Sequence, residues 1–260
     1  MPYRKVQFAE GQYYHIYNRG VGRQPIFEEP TYLDIQAAVG ISKHTGGYAA
    51  TDELHRLCHL EEAQEVLDVG CGIGVGPAYI ARQFDCQVMA VDISEKMLSW
   101  ARQRARREGV ADRFAFRKAD VRELPFEDDT FDFAVSTEFI EHVPKKNAMD
   151  FLREVVRVTK KGGKVIITTP NNEWGEVDPV HPNEYSYDET LDMVSEVGLK
   201  TVDTYGLKLR GNVREWDKKF GKNAIWKSLR AAYPSIWAKC MLAAVLPEES
   251  IFWSLVAIKP

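Results

Sequence analysis

At 260 residues and 29.6 kDa the chain can build one large core with length left over for a cap or lid. Hydrophobic residues at 45% and charged residues at 28% exclude a disordered or fibrous class. A net charge of −4 speaks against a surface built throughout for nucleic acid, and the most apolar short run, CMLAAVL (240–246), falls far short of the roughly 20 residues a membrane crossing needs.

The first 50 residues hold six of the eleven tyrosines and read as an N-terminal cap ahead of a main domain over 51–260. The opening MPYRKVQFAEGQ lacks an apolar signal core, so a cytoplasmic location is expected. Cys58, Cys71, Cys86 and Cys240 form no CxxC pair and read as reduced thiols. His55 and His59 stand four apart, but no carboxylate is matched to them and no metal site is read.

From residue 64 to about 170, short β-rich runs alternate with helical stretches. EVLDV, QVMAV, RFAFR, FDFAVS and KVIITT are the expected strands, and helices fit at about 77–84, 94–108 and 146–160. Such alternation indicates a mostly parallel sheet with helices on both faces. In the second helix, started by Ser94, the residues Met97, Leu98, Ala101 and Ala105 mark the buried stripe. Arg102, Arg104, Arg106 and Arg107 are expected to face water. SYDE (186–189) is a capping box whose helix Gly198 can end. KTVDTYGL and FWSLVAI are two later strands, which brings the count to seven. Between them, about 208–247 is a helical, aromatic insertion in which Trp216, Trp226, Tyr233 and Trp237 form either a satellite core or a wall beside a substrate.

The stretch DVGCGIGVG (68–76) follows the first strand directly. A dinucleotide fingerprint G-x-G-x-x-G would need its third glycine at Val75 or Pro77, so that spacing fails. D-x-G-x-G-x-G does fit, with Gly70, Gly72 and Gly74 letting backbone pass close beneath a ligand and amides ahead of the helix to meet a carboxylate. Asp92, at the end of QVMAVD, can accept two ribose hydroxyls. Asp120 in KADVRELPF follows the third strand, in reach of an adenine amino group.

In this order and spacing the stretch from about 64 to 170 resembles the class I S-adenosylmethionine-dependent methyltransferases. VLDVGCGIG is similar to their first motif, VDIS to their acidic ribose loop, ADVRELPFEDDTFDFAVS to their third and fourth segments, and LREVVRVTKKGGKVIITTP to their helix and fifth strand. The resemblance implies a Rossmann-like α/β fold, a seven-stranded mostly parallel sheet with N-terminal and C-terminal lid segments. It also implies S-adenosylmethionine as cofactor, with S-adenosylhomocysteine as product. Gly70, Gly72 and Gly74 would line the methionine part, Asp92 the ribose, and Asp120 with Val121 the adenine; Asp68 would orient the loop and the amino group, and Ile93 and Glu138 join this cofactor-binding set.

The methyl group would point into the crevice at the carboxyl ends of the strands, where STEFIEHV (136–143) begins. His142 has the ordinary pKa for removing an acceptor proton. In the phosphoethanolamine methyltransferases, which this part resembles and whose GGxxAT element is similar to GGYAAT (46–51), a histidine at the matching position pairs with an N-terminal tyrosine. Tyr32, Tyr17 and Tyr14 are candidates for that partner, and spacing does not choose among them; Tyr32 is taken with His142 and His181 as the catalytic set. His181 lies in VHPNEYS with Glu184 and Tyr185.

STEF replaces the [DN]PP[YF] segment of enzymes that methylate amino nitrogens of bases or glutamine, which disfavours nucleic acid as partner. YYHIYNRGVGRQPIF resembles the opening of the single-tyrosine HUH transposases over about thirty residues, and no nuclease activity is carried over. The expected function is methyl transfer to an oxygen or nitrogen of a small-molecule acceptor, apolar or ring-bearing, reached in solution or at a membrane surface. An RNA-directed methyltransferase and a catalytically silent S-adenosylmethionine-binding module are the alternatives.

Overall fold

The computed structural model describes residues 65–171, 183, 185–206, 213–232, 248, 250 and 252–260. Its first half alternates strand and helix up to β3, which leads to β4 with no helix between them: β1 (Glu65–Val69), α1 (Val75–Gln83), β2 (Gln87–Asp92), α2 (Glu95–Arg107), β3 (Phe114–Lys118) and β4 (Phe131–Thr137). Then come α3 (Ala148–Val158), β5 (Thr159–Pro170), α4 (Tyr187–Glu196), β6 (Lys200–Gly206), α5 (Val213–Phe220), α6 (Ala224–Ala232) and β7 (Phe252–Ile258). Among the described residues these strands form one sheet in the order β3-β2-β1-β4-β5-β7-β6. β7 runs antiparallel to both of its neighbours, and the other pairings are parallel. The mostly parallel, seven-stranded α/β sheet expected from the sequence is the one observed.

The alternation of side chains along each strand sorts the core into two layers. Val66 of β1, Phe133 and Val135 of β4, Ile166 of β5 and Val256 of β7 pack with Ala78, Ile80 and Ala81 of α1 and Ala105 of α2. Leu67 and Val69, Ala134, Val165 and Ile167, and Leu255 and Ala257 face the other way. They meet Phe151, Leu152, Val155 and Val158 of α3 and Val194 of α4. Burying each large aliphatic or aromatic side chain contributes about 1.5–3 kcal/mol. The sheet's outer strands show the opposite pattern: β3 and β6 are largely exposed and carry charge at Arg117, Lys118, Lys200 and Asp203, which discourages pairing with another chain.

Local signals set most boundaries. Ser94 caps α2 by accepting the Met97 amide at 3.4 Å. The capping box is complete: Ser186 Oγ accepts the Glu189 amide at 3.0 Å, and the Ser186 amide donates to Glu189 Oε2 at 2.8 Å. Gly198, at φ 84°, turns the chain out of α4 into β6. The largest departure from expectation is at the fifth strand, expected over KVIITT (164–169) and observed over Thr159–Pro170. The third helix stops at Val158 rather than running to 160, because Thr159 adopts extended backbone and starts β5 at once while its hydroxyl donates to the Val155 carbonyl at 2.7 Å.

The basic face of α2 also differs. Arg106 and Arg107 are exposed, but Arg104 is only 2% exposed. Position 104 is three residues after Ala101 and next to Ala105, so it lies on the buried stripe rather than opposite it.

Candidate active site

The chain leaves β1 through three left-handed glycines, Gly70 (φ 78°), Gly72 (φ 52°) and Gly74 (φ 80°), before α1 begins. Each is needed for its backbone angle, but their missing side chains do different things. A Cβ on Gly70 would collide with the ring of Phe139, and one on Gly74 would come within 2.8 Å of Ala101 Cβ and 2.9 Å of Ala101 Cα on α2. A Cβ on Gly72 would meet nothing within 4 Å. Expectation had all three passing beneath a ligand; the geometry gives that space to Gly72, while Gly70 admits Phe139 and Gly74 admits α2.

The loop is tied to the end of β2. The amides of Gly70 and Cys71 both donate to the Val91 carbonyl at 2.9 Å. Asp92, buried, accepts the Gly72 amide on Oδ2 at 3.0 Å and the Ser94 amide on Oδ1 at 2.8 Å. Burial raises its pKa, and the hydrogen bonds from Ser94, Gly72 and Ile93 amides oppose that rise. Each oxygen keeps acceptor capacity for a further donor, as two vicinal hydroxyls require. Ile93, the next residue, is 63% exposed and offers an apolar surface at the mouth of the loop.

Asp68, the penultimate residue of β1, is buried, and its Oδ2 has no hydrogen-bond partner among the described residues. Desolvation, reinforced by the nearby Asp92 charge, pushes its pKa up to about 7. A buried carboxyl poised in this way suits a cationic amino group arriving from outside the chain.

Asp120 follows β3, and Arg122 holds both of its oxygens, with Nη2 at 2.6 Å from Oδ2 and Nε at 2.9 Å from Oδ1; this pairing keeps its pKa low. Val121 turns into the core beside Leu124. Arg157 on α3 braces the segment that follows, donating to the carbonyls of Leu124 at 2.8 Å and Phe126 at 2.7 Å.

Beyond β4, Glu138 sits at φ 50°, a left-handed conformation that costs a non-glycine residue about 1–2 kcal/mol, and its amide donates to the Thr168 carbonyl at 2.8 Å. That turn throws the Phe139 ring toward Gly70 and edge-on to Phe151, with centroids 5.6 Å apart. His142 is half-buried in a single tight helical turn, its amide donating to the Phe139 carbonyl at 2.9 Å. Sequence reasoning missed its neighbour Glu141, which is fully buried and accepts the Thr169 hydroxyl at 3.2 Å. Ile140 and Val143 on either side, both core residues, were the signal. Tyr185 is buried too; desolvation first, then the charges of Glu189 and Glu141, push its phenol up to about 12.

The parallel pairing of β3, β2, β1 and β4 brings Asp120, Asp92, the glycine loop, Glu138 and His142 to the carboxyl edge of one sheet. Tyr14, Tyr17, Tyr32, His55, His59, His181 and Glu184, with the rest of the cap, lie outside the described residues. Trp226 on α6 is buried and donates from Nε1 to Asp217 on α5 at 2.9 Å, whereas the Trp216 side chain, Tyr233 and Trp237 lie outside the described residues.

Residues 67–167 match the family model described as a methyltransferase domain. Those residues form a class I S-adenosylmethionine-dependent methyltransferase domain. Phosphoethanolamine N-methyltransferase 3 of Arabidopsis thaliana is 40% identical to this domain over 124 residues, covering 48% of this chain and 24% of the relative. The chain spans less than half the length of the first curated relatives it matches, 43% and 24%. Among solved structures, phosphoethanolamine N-methyltransferase 2 of Haemonchus contortus in complex with S-adenosyl-L-methionine is similar, with a TM-score of 0.60 at 22% identity over 88% of this chain and 57% of that one. The [4+2]-cyclase SpnF has a TM-score of 0.61 at 22% identity over 82% and 80%. At such identities the methyltransferase domain shares the fold with both, and the fold alone does not choose the chemistry. No described helix of the methyltransferase domain is long and apolar enough to cross a membrane.

Proposed function

We propose that this domain transfers the methyl group of S-adenosylmethionine to an oxygen or nitrogen of a small-molecule acceptor in the cytoplasm. The observation that carries the reading is the open space at Gly72 beside a buried Asp92 whose two oxygens are already aligned by backbone amides. The orphaned Asp68 oxygen and the exposed Ile93 fit the same donor. Bound there, the donor would supply an electrophilic methyl group on a sulfonium. Asp92 would take the ribose hydroxyls, Asp68 the amino group, Ile93 the face of the adenine, and Gly72 the close approach of the methionine part. Asp120 would reach the adenine amino group through acceptor capacity that Arg122 leaves.

An in-line displacement needs alignment more than acid–base work, so the rigid carboxyl edge is the main contribution. His142 would take the proton of an acceptor hydroxyl or ammonium, with His181 as the second candidate. Small-molecule acceptors are supported by the curated relatives, whose names include phosphoethanolamine, tocopherol and ajmaline methyltransferases. The RNA-directed alternative loses part of its footing, since Arg104 is withdrawn from the α2 surface.

The test is calorimetry with S-adenosylhomocysteine together with transfer of a labelled methyl group to a metabolite extract. Asp92→Ala should weaken binding more than tenfold, whereas His142→Ala should bind normally and transfer slowly. Undiminished binding by Asp92→Ala would overturn the donor assignment, and label confined to RNA or protein would overturn the acceptor class.

A further inference from the structure

Arg104 is the described arginine that departs furthest from expectation. Its guanidinium is buried between α2 and the loop after β1. Nε donates to the carbonyl of Ile73 at 3.1 Å, and Nη1 donates at 3.0 Å to Oε1 of Glu108, the residue that caps the C-terminus of α2. Nη2 is buried with no partner among the described residues. A buried cation with an unmet donor is a poor device for stability, because well-packed apolar residues of similar volume would serve as well. Its specific attachment is more informative. Ile73 stands between Gly72 and Gly74, two left-handed residues whose flexibility would otherwise let that peptide rotate. Three residues earlier on α2, Ala101 lies so close to Gly74 that a Cβ there would come within 2.8 Å of it. One face of α2 therefore shapes the loop from behind, by contact at Gly74 and by a charged hydrogen bond at Ile73, while the Gly72 amide in front binds Asp92.

We propose that Arg104 is a positioning residue for the donor loop, holding the Ile73 carbonyl so that Gly72 and Asp92 are set before the donor arrives. This rests on the reading of Gly72 and Asp92 as the donor site. Glu108 is part of the device: it fixes the direction of the guanidinium fork through an i, i+4 ion pair, so Nε rather than a freely rotating group faces Ile73. Preorganisation of this kind tightens binding without touching the ligand.

The experiment measures S-adenosylhomocysteine affinity and stoichiometry by calorimetry on the full chain, together with hydrogen exchange of the unliganded 70–76 peptide, for Arg104→Met, Arg104→Lys and Glu108→Gln. Arg104→Met should bind about tenfold more weakly at unchanged stoichiometry, the size of one charged hydrogen bond, and its loop should exchange faster. Arg104→Lys, which keeps the charge but not the fork, should recover part of the affinity. If Arg104→Met fails to fold, Glu108→Gln carries the test, with a loss of roughly threefold. Affinity within about twofold of wild type and unchanged loop exchange would overturn the proposal. So would a fall in stoichiometry with affinity and loop exchange preserved, since that signals partial unfolding alone. Wild-type protein that does not bind S-adenosylhomocysteine would instead overturn the donor-site reading, and the exchange data would still decide whether Arg104 orders the loop.

Discussion

Asp68 and Asp92 are both buried carboxylates at the end of neighbouring strands, yet their surroundings give them different behaviour. Asp92 is met by amides on both oxygens; Asp68 is desolvated by burial and lies near the Asp92 charge, and the two effects push it up to about 7. Because the folded pKa of Asp68 lies above the value for an unfolded aspartate, the unliganded fold holds this proton where the unfolded chain has lost it. Stability should therefore fall as pH rises from about 4 through about 7, by at most roughly 4 kcal/mol, and level off above that. Asp68→Asn should remove much of that slope and raise the melting temperature of the unliganded protein at pH 8, as thermal unfolding at several pH values will show. The same ionisation should favour a cationic amino group, so S-adenosylhomocysteine affinity should rise between pH 6 and 8 in wild type and stay flat in Asp68→Asn; equal pH profiles would remove Asp68 from the donor's amino group. Both aspartates could be picked out in the sequence from their places after hydrophobic runs. The burial of Glu141 and Arg104 was harder to pick out: Glu141 is a charge between core residues, and Arg104 sits at the edge of the α2 stripe in a run of arginines, so each reads as a surface residue until the opposing layer is known.

At the scale of the element, the turn from β1 to α1 separates two jobs that the glycine pattern alone merges. Gly72 faces open space, whereas Gly74 is pressed against Ala101. Gly72→Ala should fold, with about 1–2 kcal/mol of left-handed strain, and lose donor affinity because its methyl enters the open space. Gly74→Ala adds an overlap with backbone to the same strain, so its total cost should be about 2–5 kcal/mol, a melting-temperature loss of roughly 4–20 °C for a domain of this size. Calorimetric binding set beside thermal unfolding distinguishes the two; a pair of variants with the same ratio of affinity loss to stability loss would refute the division. Element order, the capping box at Ser186 and the glycine stop at Gly198 were legible because each depends on local chemistry. The direct passage from α3 into β5 was not, since lysines 160 and 161 continue a helical pattern and the extended path is held by distant partners, Thr159 opposite Phe131 of β4 and Gly162 and Gly163 bonded to Lys259.

Across the whole molecule, the last strand is inserted between two earlier ones, and the site depends on that insertion. β7 pairs with β5 over Lys164–Pro170 and with β6 on its other side, so it is the only described link between β6 and the rest of the sheet. Its Ser254 hydroxyl lies 3.1 Å from that of Thr168, and the Thr168 carbonyl in turn accepts the strained Glu138 amide. Beside it, Thr169 donates to Glu141. The carboxyl end of β5 that shapes the 138–142 segment is thus braced from behind by β7. At the far end, Lys259 donates to the Thr159 carbonyl and to Asp129, both at 2.7 Å, which locks the start of β5 as well. Ser254→Ala strands the buried Thr168 hydroxyl and should cost about 1–3 kcal/mol. Truncation after residue 251 should do far more: it leaves Val165 and Ile167 without Leu255 and Ala257, and β6 without a partner. The shortened chain should lose its cooperative thermal transition and its S-adenosylhomocysteine binding together. A truncated protein that unfolds cooperatively and still binds would show that the glycine loop and Asp92 stand on the first five strands alone, and would confine the influence of β7 to the acceptor side.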